Sequence, residues 1–262
     1  MGRGRLAASH GLSTAPQPQA AANTVAAVQQ TAAPVQQTVP TPAPVSQPPT
    51  GAHGFPELTA AQQTALVASQ RKRRDWNTYQ ANQDYINPAQ TSTGFGFAQN
   101  VNYALESGTA ISKLSPRAQR MVAGLDKLMG PIGHETTLYR GDHDDFITRH
   151  FGIKNPGQMS DAQLRKALVG KSWTAKGFTS TSHDKAKSPF LPGGMLGGGR
   201  EVQLTIHTSK SLKAAMVQQS QAEVALGRGT QFKITGVRHT GRTAYPRAGG
   251  AKKVIEIIVE AW

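Results

Sequence analysis

Residues 221–230 read QAEVALGRGT and combine a polar pair, an apolar stretch and a tight turn. Side chains alternate across a strand, so Val224 and Leu226 are expected on one face and Gln221 and Glu223 on the other. The Gly-Arg-Gly turn then ends the strand. Two polar heads would therefore share one small patch beside a buried strand.

Other segments in the second half of the chain are also predicted to be strands. They are short, rich in β-branched and aromatic residues, and bounded by Gly, Pro and polar turns, which is typical of strands. The predicted strand segments are TTLYRG (136–141), SWTAKGFTSTS (172–182), REVQLTIH (200–207), EVALGRGTQFKITGV (223–237) and KKVIEIIVEAW (252–262).

Helical spacing dominates the first half. Ser115 with Pro116 is a strong helix start, and Gly130-Pro131 is a strong stop. Helices that precede a run of strands in the chain favour an α+β fold over a doubly wound parallel sheet. We predict a helical lobe at 55–134 and a β-rich core at 135–262. The predicted helical segments are 57–74, 97–108, 115–131 and 160–170.

Residues 1–54 have a different composition from the rest. They consist almost entirely of Ala, Pro, Gln, Thr, Ser, Val and Gly, with no acidic residue and no Phe, Trp or Tyr. Such a segment cannot bury enough apolar area to offset its ordering entropy, so we predict a disordered tail. We expect neither a secretion signal nor a membrane span, because no apolar run has the required length.

The chain is strongly basic. Its formal net charge is +14, and 55–262 carry +12 of it, because the tail has two arginines and no acidic residue. This charge favours acidic partners such as nucleic acid, an anionic membrane surface, an acidic protein or a phosphate-bearing cofactor, and selects none of them. The run Arg71-Lys72-Arg73-Arg74 fits a solvated helix end better than a dedicated nucleic-acid patch. The absence of cysteine excludes disulfides and thiolate metal sites.

Three different polar motifs follow one another along the chain at intervals of about 40 residues. They are Arg140 in LYRG, the hydroxyl run 180–182 in GFTSTS, and the Gln221-Ala222-Glu223 stretch that leads into an apolar strand and an Arg-Gly-Thr turn. Each alone has an ordinary explanation as surface or strand residues. In this order they resemble the mono-ADP-ribosyltransferases of the Arg / Ser-Thr-Ser / Glu class, which include bacterial toxins and enzymes that phages deliver. The resemblance covers about residues 99–262 and implies an NAD-binding split β-sandwich core.

The resemblance also implies roles for individual residues. Glu223 would stabilise the oxocarbenium-like transition state formed as NAD loses nicotinamide. Ser180 would orient that carboxylate, and Arg140 would bind the diphosphate with its forked donors. Phe190 lies in a glycine-rich stretch that matches neither a Rossmann nor a P-loop fingerprint. The implied catalytic set is Glu223, Gln221 and Ser180, and the implied cofactor-binding set is Arg140, Gly141, Thr181, Ser182 and Phe190.

The segment SLKAAMVQQSQ (211–221) before Glu223 corresponds to the family's substrate-facing loop or turn. Its last residue, Gln221, constrains which side chain can accept ADP-ribose. Arginine-modifying relatives carry Glu where this chain has Gln221. An amide cannot take a guanidinium proton, so we predict an acceptor other than arginine. Relatives with Gln-X-Glu include Rho-modifying clostridial exoenzymes that target asparagine and enzymes that modify guanine bases.

We therefore predict an NAD-dependent mono-ADP-ribosyltransferase with NAD as substrate and no metal. GDHDDF (141–146) lacks the spacing of a calcium or zinc site. The expected partner is an acceptor macromolecule, with protein preferred over nucleic acid, and the expected state is a monomer. The alternatives are an NAD glycohydrolase, a nucleic-acid-modifying ADP-ribosyltransferase and a non-catalytic basic nucleic-acid-binding or virion protein. The tail suits delivery by a phage particle or a secretion machine into the target-cell cytoplasm.

Overall fold

The helices that the sequence predicts form where their caps and apolar spacing place them. The computed structural model describes residues 55–86, 96–185, 201–219, 222–244 and 251–262, so the tail at 1–54 lies outside the described residues. Ser115 accepts a hydrogen bond from the backbone N–H of Ala118, and Thr59 and Ser160 close capping boxes. These helices are α1 Ala60–Arg71, α3 Phe97–Glu106, α4 Pro116–Leu128 and α6 Asp161–Leu168.

Two further helices were not predicted. They are α2 Trp76–Ile86 and α5 Asp145–Phe151. The α2 sequence is largely polar, and packing against α4 supports it. A Cβ atom at Gly124 would lie 2.4 Å from the Cβ of Ala81, so the two helices are close enough to require glycine there. Tertiary contact therefore supplies what a local apolar pattern does not.

The strands form a mixed sheet, which confirms the α+β prediction. The strands are β1 Gly130–Pro131, β2 Thr136–Asp142, β3 Ser172–Thr174, β4 Thr179–Ser182, β5 Val202–Thr208, β6 Lys213–Gln218, β7 Glu223–Leu226, β8 Gln231–Ala244 and β9 Lys252–Ala261. Among the described residues the sheet order is β1-β6-β7-β4-β2-β5-β9-β8-β3, and the β5–β9 pair alone is parallel.

The sheet narrows where β2 meets β4. The register there contains a single pair, Tyr139 with Ser182, whereas β2 pairs with β5 over its whole length. The narrow junction divides the strands into a four-stranded part ending at β4 and a five-stranded part beginning at β2. Arg140 follows Tyr139 directly, so it lies at this division.

Two apolar cores enclose β7. Val224 and Leu226 are fully buried in one core, which also receives α1, α5 and α6. Ala225 belongs to the other core, where Phe178 packs beneath α2, α3 and α4. Alternation along β7 therefore holds from Glu223 onward, and it leaves Glu223 on the side of the helices α2–α4.

Two details before Glu223 differ from the sequence-based expectation. The strand begins at Glu223, because Ala222 has a left-handed φ of 53°, and the predicted shared face of Gln221 and Glu223 concerns a residue outside the described part of the chain. The prediction of a loop over 211–221 is wrong for Lys213–Gln218, because these residues form β6. The apolar residues of β6 are buried on both faces of the strand, as is usual for a strand enclosed by two cores. A bulge interrupts the pairing of β6 with β7 at Val217.

All described residues belong to one compact unit. The division into a helical lobe at 55–134 and a core at 135–262 stays a prediction. No helix among the described residues has both the length and the apolar character that crossing a membrane requires.

Candidate active site

Glu223 is held by a hydroxyl from the neighbouring strand. In the antiparallel β4–β7 pair, Ser182 lies opposite Glu223 and Ser180 lies opposite Ala225. Ser180 and Glu223 are thus diagonal neighbours on one face, within reach of each other. Ser180 Oγ donates a hydrogen bond of 2.5 Å to Glu223 Oε1. The hydrogen bond restricts the carboxylate to one orientation.

Arg140 reaches the same place from across the junction of the sheet. Its Nη1 donates to the carbonyl oxygen of Ser180 at 3.0 Å. Its Nε and Nη2 donate to Asp142 Oδ2 at 3.2 and 3.1 Å. The side chain keeps 30% of its surface exposed, so a ligand can still reach the guanidinium. Arg140, Ser180 and Glu223 therefore form one cluster.

The electrostatics of Glu223 reflect opposing effects. Burial raises the pKa of Glu223, while the hydrogen bond from Ser180 and the positive charge of Arg140 lower it, and the net shift is upward. The carboxylate is thus a desolvated charge that depends on two specific partners. In such surroundings a carboxylate interacts more strongly with a developing cation than it would in water.

The family model described as ADP-ribosyltransferase exoenzyme matches residues 94–261, which is more than half of the chain. The chain belongs to the ADP-ribosyltransferase exoenzyme family. The match contains β2, β4 and β7, which carry the cluster. Among curated proteins none matches this transferase by sequence.

Solved structures of bacterial toxins share the fold of the transferase. The Clostridium limosum C3 exoenzyme has a TM-score of 0.57 and 19% identity, covering 79% of this chain and 97% of its own. Plx2a, an ADP-ribosyltransferase toxin from Paenibacillus larvae, has a TM-score of 0.55 and 16% identity, covering 77% and 94%. C3stau2 from S. aureus, solved with NAD, has a TM-score of 0.50 and 18% identity, covering 79% and 99%. The transferase uses NAD as its substrate.

The other predicted site residues that carry hydroxyls donate to backbone carbonyls rather than to Glu223. Thr181 is buried and donates to the carbonyl of Val224 at 2.6 Å, and the hydroxyl of Ser182 donates to the carbonyl of Asp184 at 2.8 Å. Gly141 is buried between Arg140 and Asp142 on β2. Their role in cofactor binding stays a prediction. Gln221 and Phe190 lie outside the described residues.

Sequence reasoning missed Tyr85, which approaches the cluster from α2. Burial raises the pKa of its phenol, and the Glu223 carboxylate raises it further, while Arg140 and a hydrogen bond with Ser180 lower it. Its ring packs edge to face on Phe178 at 6.3 Å between centroids. No motif marks Tyr85 in the sequence, because only the packing of α2 brings it to the site.

Sequence reasoning also missed Asp142, the partner of Arg140. The two residues are separated by one position on β2, so they share a face of that strand. Asp142 is buried and its carboxylate orients the guanidinium that sequence reasoning assigned to the diphosphate. The i, i+2 spacing of opposite charges was a usable signal in the sequence.

Replacing Ser180 with Ala is expected to move the acid limb of the activity profile to higher pH. The hydrogen bond from Ser180 supports the ionised form of Glu223, so its loss raises the pKa of that carboxyl further. Activity that needs the carboxylate then declines at a higher pH as the solution is acidified. Initial rates of NAD hydrolysis measured across the acid range test this. Thr179→Ala, on the same strand, is the matched control, and an unshifted limb in Ser180→Ala would contradict the expectation.

Proposed function

We propose that the transferase moves ADP-ribose from NAD to a protein side chain other than arginine, with Glu223 stabilising the transition state. The observation that carries the proposal is the desolvated Glu223 carboxylate, bonded to Ser180 and facing the charge of Arg140. This arrangement suits a reaction that develops positive charge on a ribose ring.

The proposed step breaks the bond between the ribose C1 atom and the nicotinamide nitrogen. Nicotinamide leaves as a neutral molecule with the bonding electrons, and the ribose becomes oxocarbenium-like. The ionised Glu223 accepts a hydrogen bond from a ribose hydroxyl and stabilises the charge, while Arg140 donates to the diphosphate. The acceptor then bonds to C1 and loses a proton.

A pocket of about 440 Å³ lies between α1 and the part of the sheet that contains β6. Its lining includes Gln63, Thr64 and Arg71 from α1, together with His183, Met216 and Gln219. Gln219 follows β6 and precedes Gln221 by two positions, so the pocket includes one residue of the segment that corresponds to the family's substrate-facing turn. The neutral Gln221 supports an acceptor other than arginine, since an amide does not pair bidentately with a guanidinium as a carboxylate does.

Labelling with biotinylated NAD tests the proposal. The protein and its Glu223→Gln variant are incubated with a target-cell lysate, and each product is divided between protease and nuclease. We expect label that requires Glu223 and disappears with protease. Label that disappears with nuclease would move the acceptor to nucleic acid. NAD consumption without label would indicate a glycohydrolase, and no consumption would contradict the proposal.

Replacing Gln221 with Ala is expected to reduce transfer more than NAD cleavage. The amide is proposed to face the acceptor, whereas Glu223 and Arg140 serve the dinucleotide. Transfer to the labelled acceptor and nicotinamide release without acceptor are measured in parallel. Gln218→Ala, at the end of β6, is the control. Equal loss of both activities would show that Gln221 has no special part in acceptor recognition.

We further propose that the enzyme acts in the cytoplasm of a target cell after delivery as a phage or secreted effector. The Ala/Pro/Gln-rich composition of 1–54 and the absence of cysteine support this, since neither hinders passage in an unfolded form. A protein lacking residues 1–54 should keep its NAD hydrolysis rate and lose delivery. An inactive truncated protein would contradict this separation of roles.

A further inference from the structure

We propose that the turn between α1 and α2 and the first turn of α2 bind single-stranded nucleic acid. The surface, here called the basic aromatic corner, consists of Arg71, Lys72, Arg74, Trp76 and Tyr79. The inference does not depend on the acceptor of the transfer reaction, because both rings lie on α2, outside the strands that carry Glu223, and oligonucleotide binding is measured without transfer.

Two aromatic rings form the flat part of the corner. Trp76 is 71% exposed and Tyr79 is 49% exposed, although large apolar side chains are normally buried. Their ring centroids are 5.7 Å apart with an interplanar angle of 29°, so the rings stack on each other. Rings held in this way offer a rigid planar surface on which a base can stack with little loss of conformational freedom.

Three cations form the charged part. Arg71, Lys72 and Arg74 are exposed, and none of them forms an ion pair with a carboxylate among the residues that the structure describes. Arg73 is different, because its Nε donates to the carbonyl of Leu128 at 3.0 Å and thereby ties the turn to the end of α4. The turn thus projects three available charges from an anchored backbone.

The acidic residue in the corner does not cancel these charges. Asp75 Oδ1 accepts from the backbone N–H of Thr78 at 2.8 Å and caps α2, while Oδ2 pairs with Lys127 at 2.6 Å. The hydrogen bond from Lys127 and the cap lower the pKa of Asp75 to about 2. Because Lys127 balances its charge, the net charge of the corner is that of the three exposed cations.

The combination favours nucleic acid over an acidic protein. Carboxylates on a protein would be satisfied by the cations alone and would leave the exposed rings without a planar partner. A single strand supplies both a phosphate for each cation and a base for each ring, which is the pattern of sequence-tolerant single-strand binding. The net charge of +12 over 55–262 adds long-range attraction for the same polymer.

Fluorescence anisotropy of labelled oligo(dT) and oligo(rU) with the full chain tests the inference. The double variant Trp76→Ala/Tyr79→Ala should bind about tenfold more weakly or worse, because base stacking is lost. Tyr103→Ala is the matched control, since Tyr103 is 72% exposed and no ring contact involves it among the described residues. Equal affinity of the double variant and this control would overturn the inference.

The dependence on salt tests the cations separately. Replacing Arg71, Lys72 and Arg74 with Ala should reduce the slope of log K against log salt by about 2, as expected for three single-strand phosphate contacts. Replacing the exposed Lys154, Arg165 and Lys166 in and before α6 should leave the slope near that of the wild type. Poly-L-glutamate competing as effectively as oligo(dT) would instead identify an acidic-protein surface. Absence of oligonucleotide binding at low salt would refute the proposal outright.

Discussion

Replacing Glu223 with Gln should lower kcat for NAD cleavage by about two to three orders of magnitude. Glutamine has nearly the same shape as glutamate and can still accept the hydrogen bond that Ser180 donates. It lacks the negative charge that we propose stabilises the developing ribose cation. Because the fold and the approach to the dinucleotide are preserved, KM for NAD should change far less than kcat.

Steady-state nicotinamide release by Glu223→Gln provides the measurement. Glu260→Gln is a suitable control, because Glu260 is a half-buried strand glutamate on β9, outside the Arg140–Ser180–Glu223 cluster. Thermal unfolding of both variants verifies that neither loses the fold. A Glu223→Gln enzyme with wild-type kcat would remove Glu223 from the reaction and with it the proposed mechanism.

The second large effect is expected at Arg140, where Lys in place of Arg should raise KM for NAD by about tenfold or more. The guanidinium bonds Asp142 and the Ser180 carbonyl, and the proposed mechanism needs a further donor from it for the diphosphate. A lysine ammonium retains the charge but lacks the planar fork. It cannot span partners on two strands and a ligand together.

The charge and the fork of Arg140 can be separated experimentally. Arg140→Ala also removes the positive charge that lowers the pKa of Glu223, so its acid limb should shift to higher pH. Arg140→Lys should keep the limb in place. Arg238→Lys is the control, since Arg238 pairs with Glu256 outside the cluster. Unchanged KM in Arg140→Lys would assign Arg140 to holding β4 rather than to binding NAD.

The sequence was informative where local physics decides structure. The capped and proline-initiated helix at Pro116–Leu128 formed as predicted, because its start depends on residues adjacent in the chain. The strand signal also held for β2, β4 and β7, which carry Arg140, Ser180 and Glu223. Their convergence was inferred from the order of motifs in a resembling family, since residue spacing alone does not specify which strands pair.

Other features of the fold could not be predicted from local sequence patterns. α2 has few apolar residues, so the sequence did not predict it, and Tyr85 therefore could not be placed beside Ser180. The apolar stretch at Lys213–Gln218 was assigned to a loop, although burial between two cores makes it a strand. The left-handed backbone of Ala222 also carries no sequence signal, because alanine rarely adopts it without surrounding contacts.

The sequence by itself determined the α+β class, most of the helices and strands and the basic character. These follow from composition, caps and periodicity, which are properties of neighbouring residues. Tertiary structure alone decided that the sheet narrows to the Tyr139–Ser182 pair, and that Asp142 and Tyr85 join Arg140, Ser180 and Glu223. The physical reason is that the burial and charge of Glu223 depend on contacts between strands and helices that are distant in the chain.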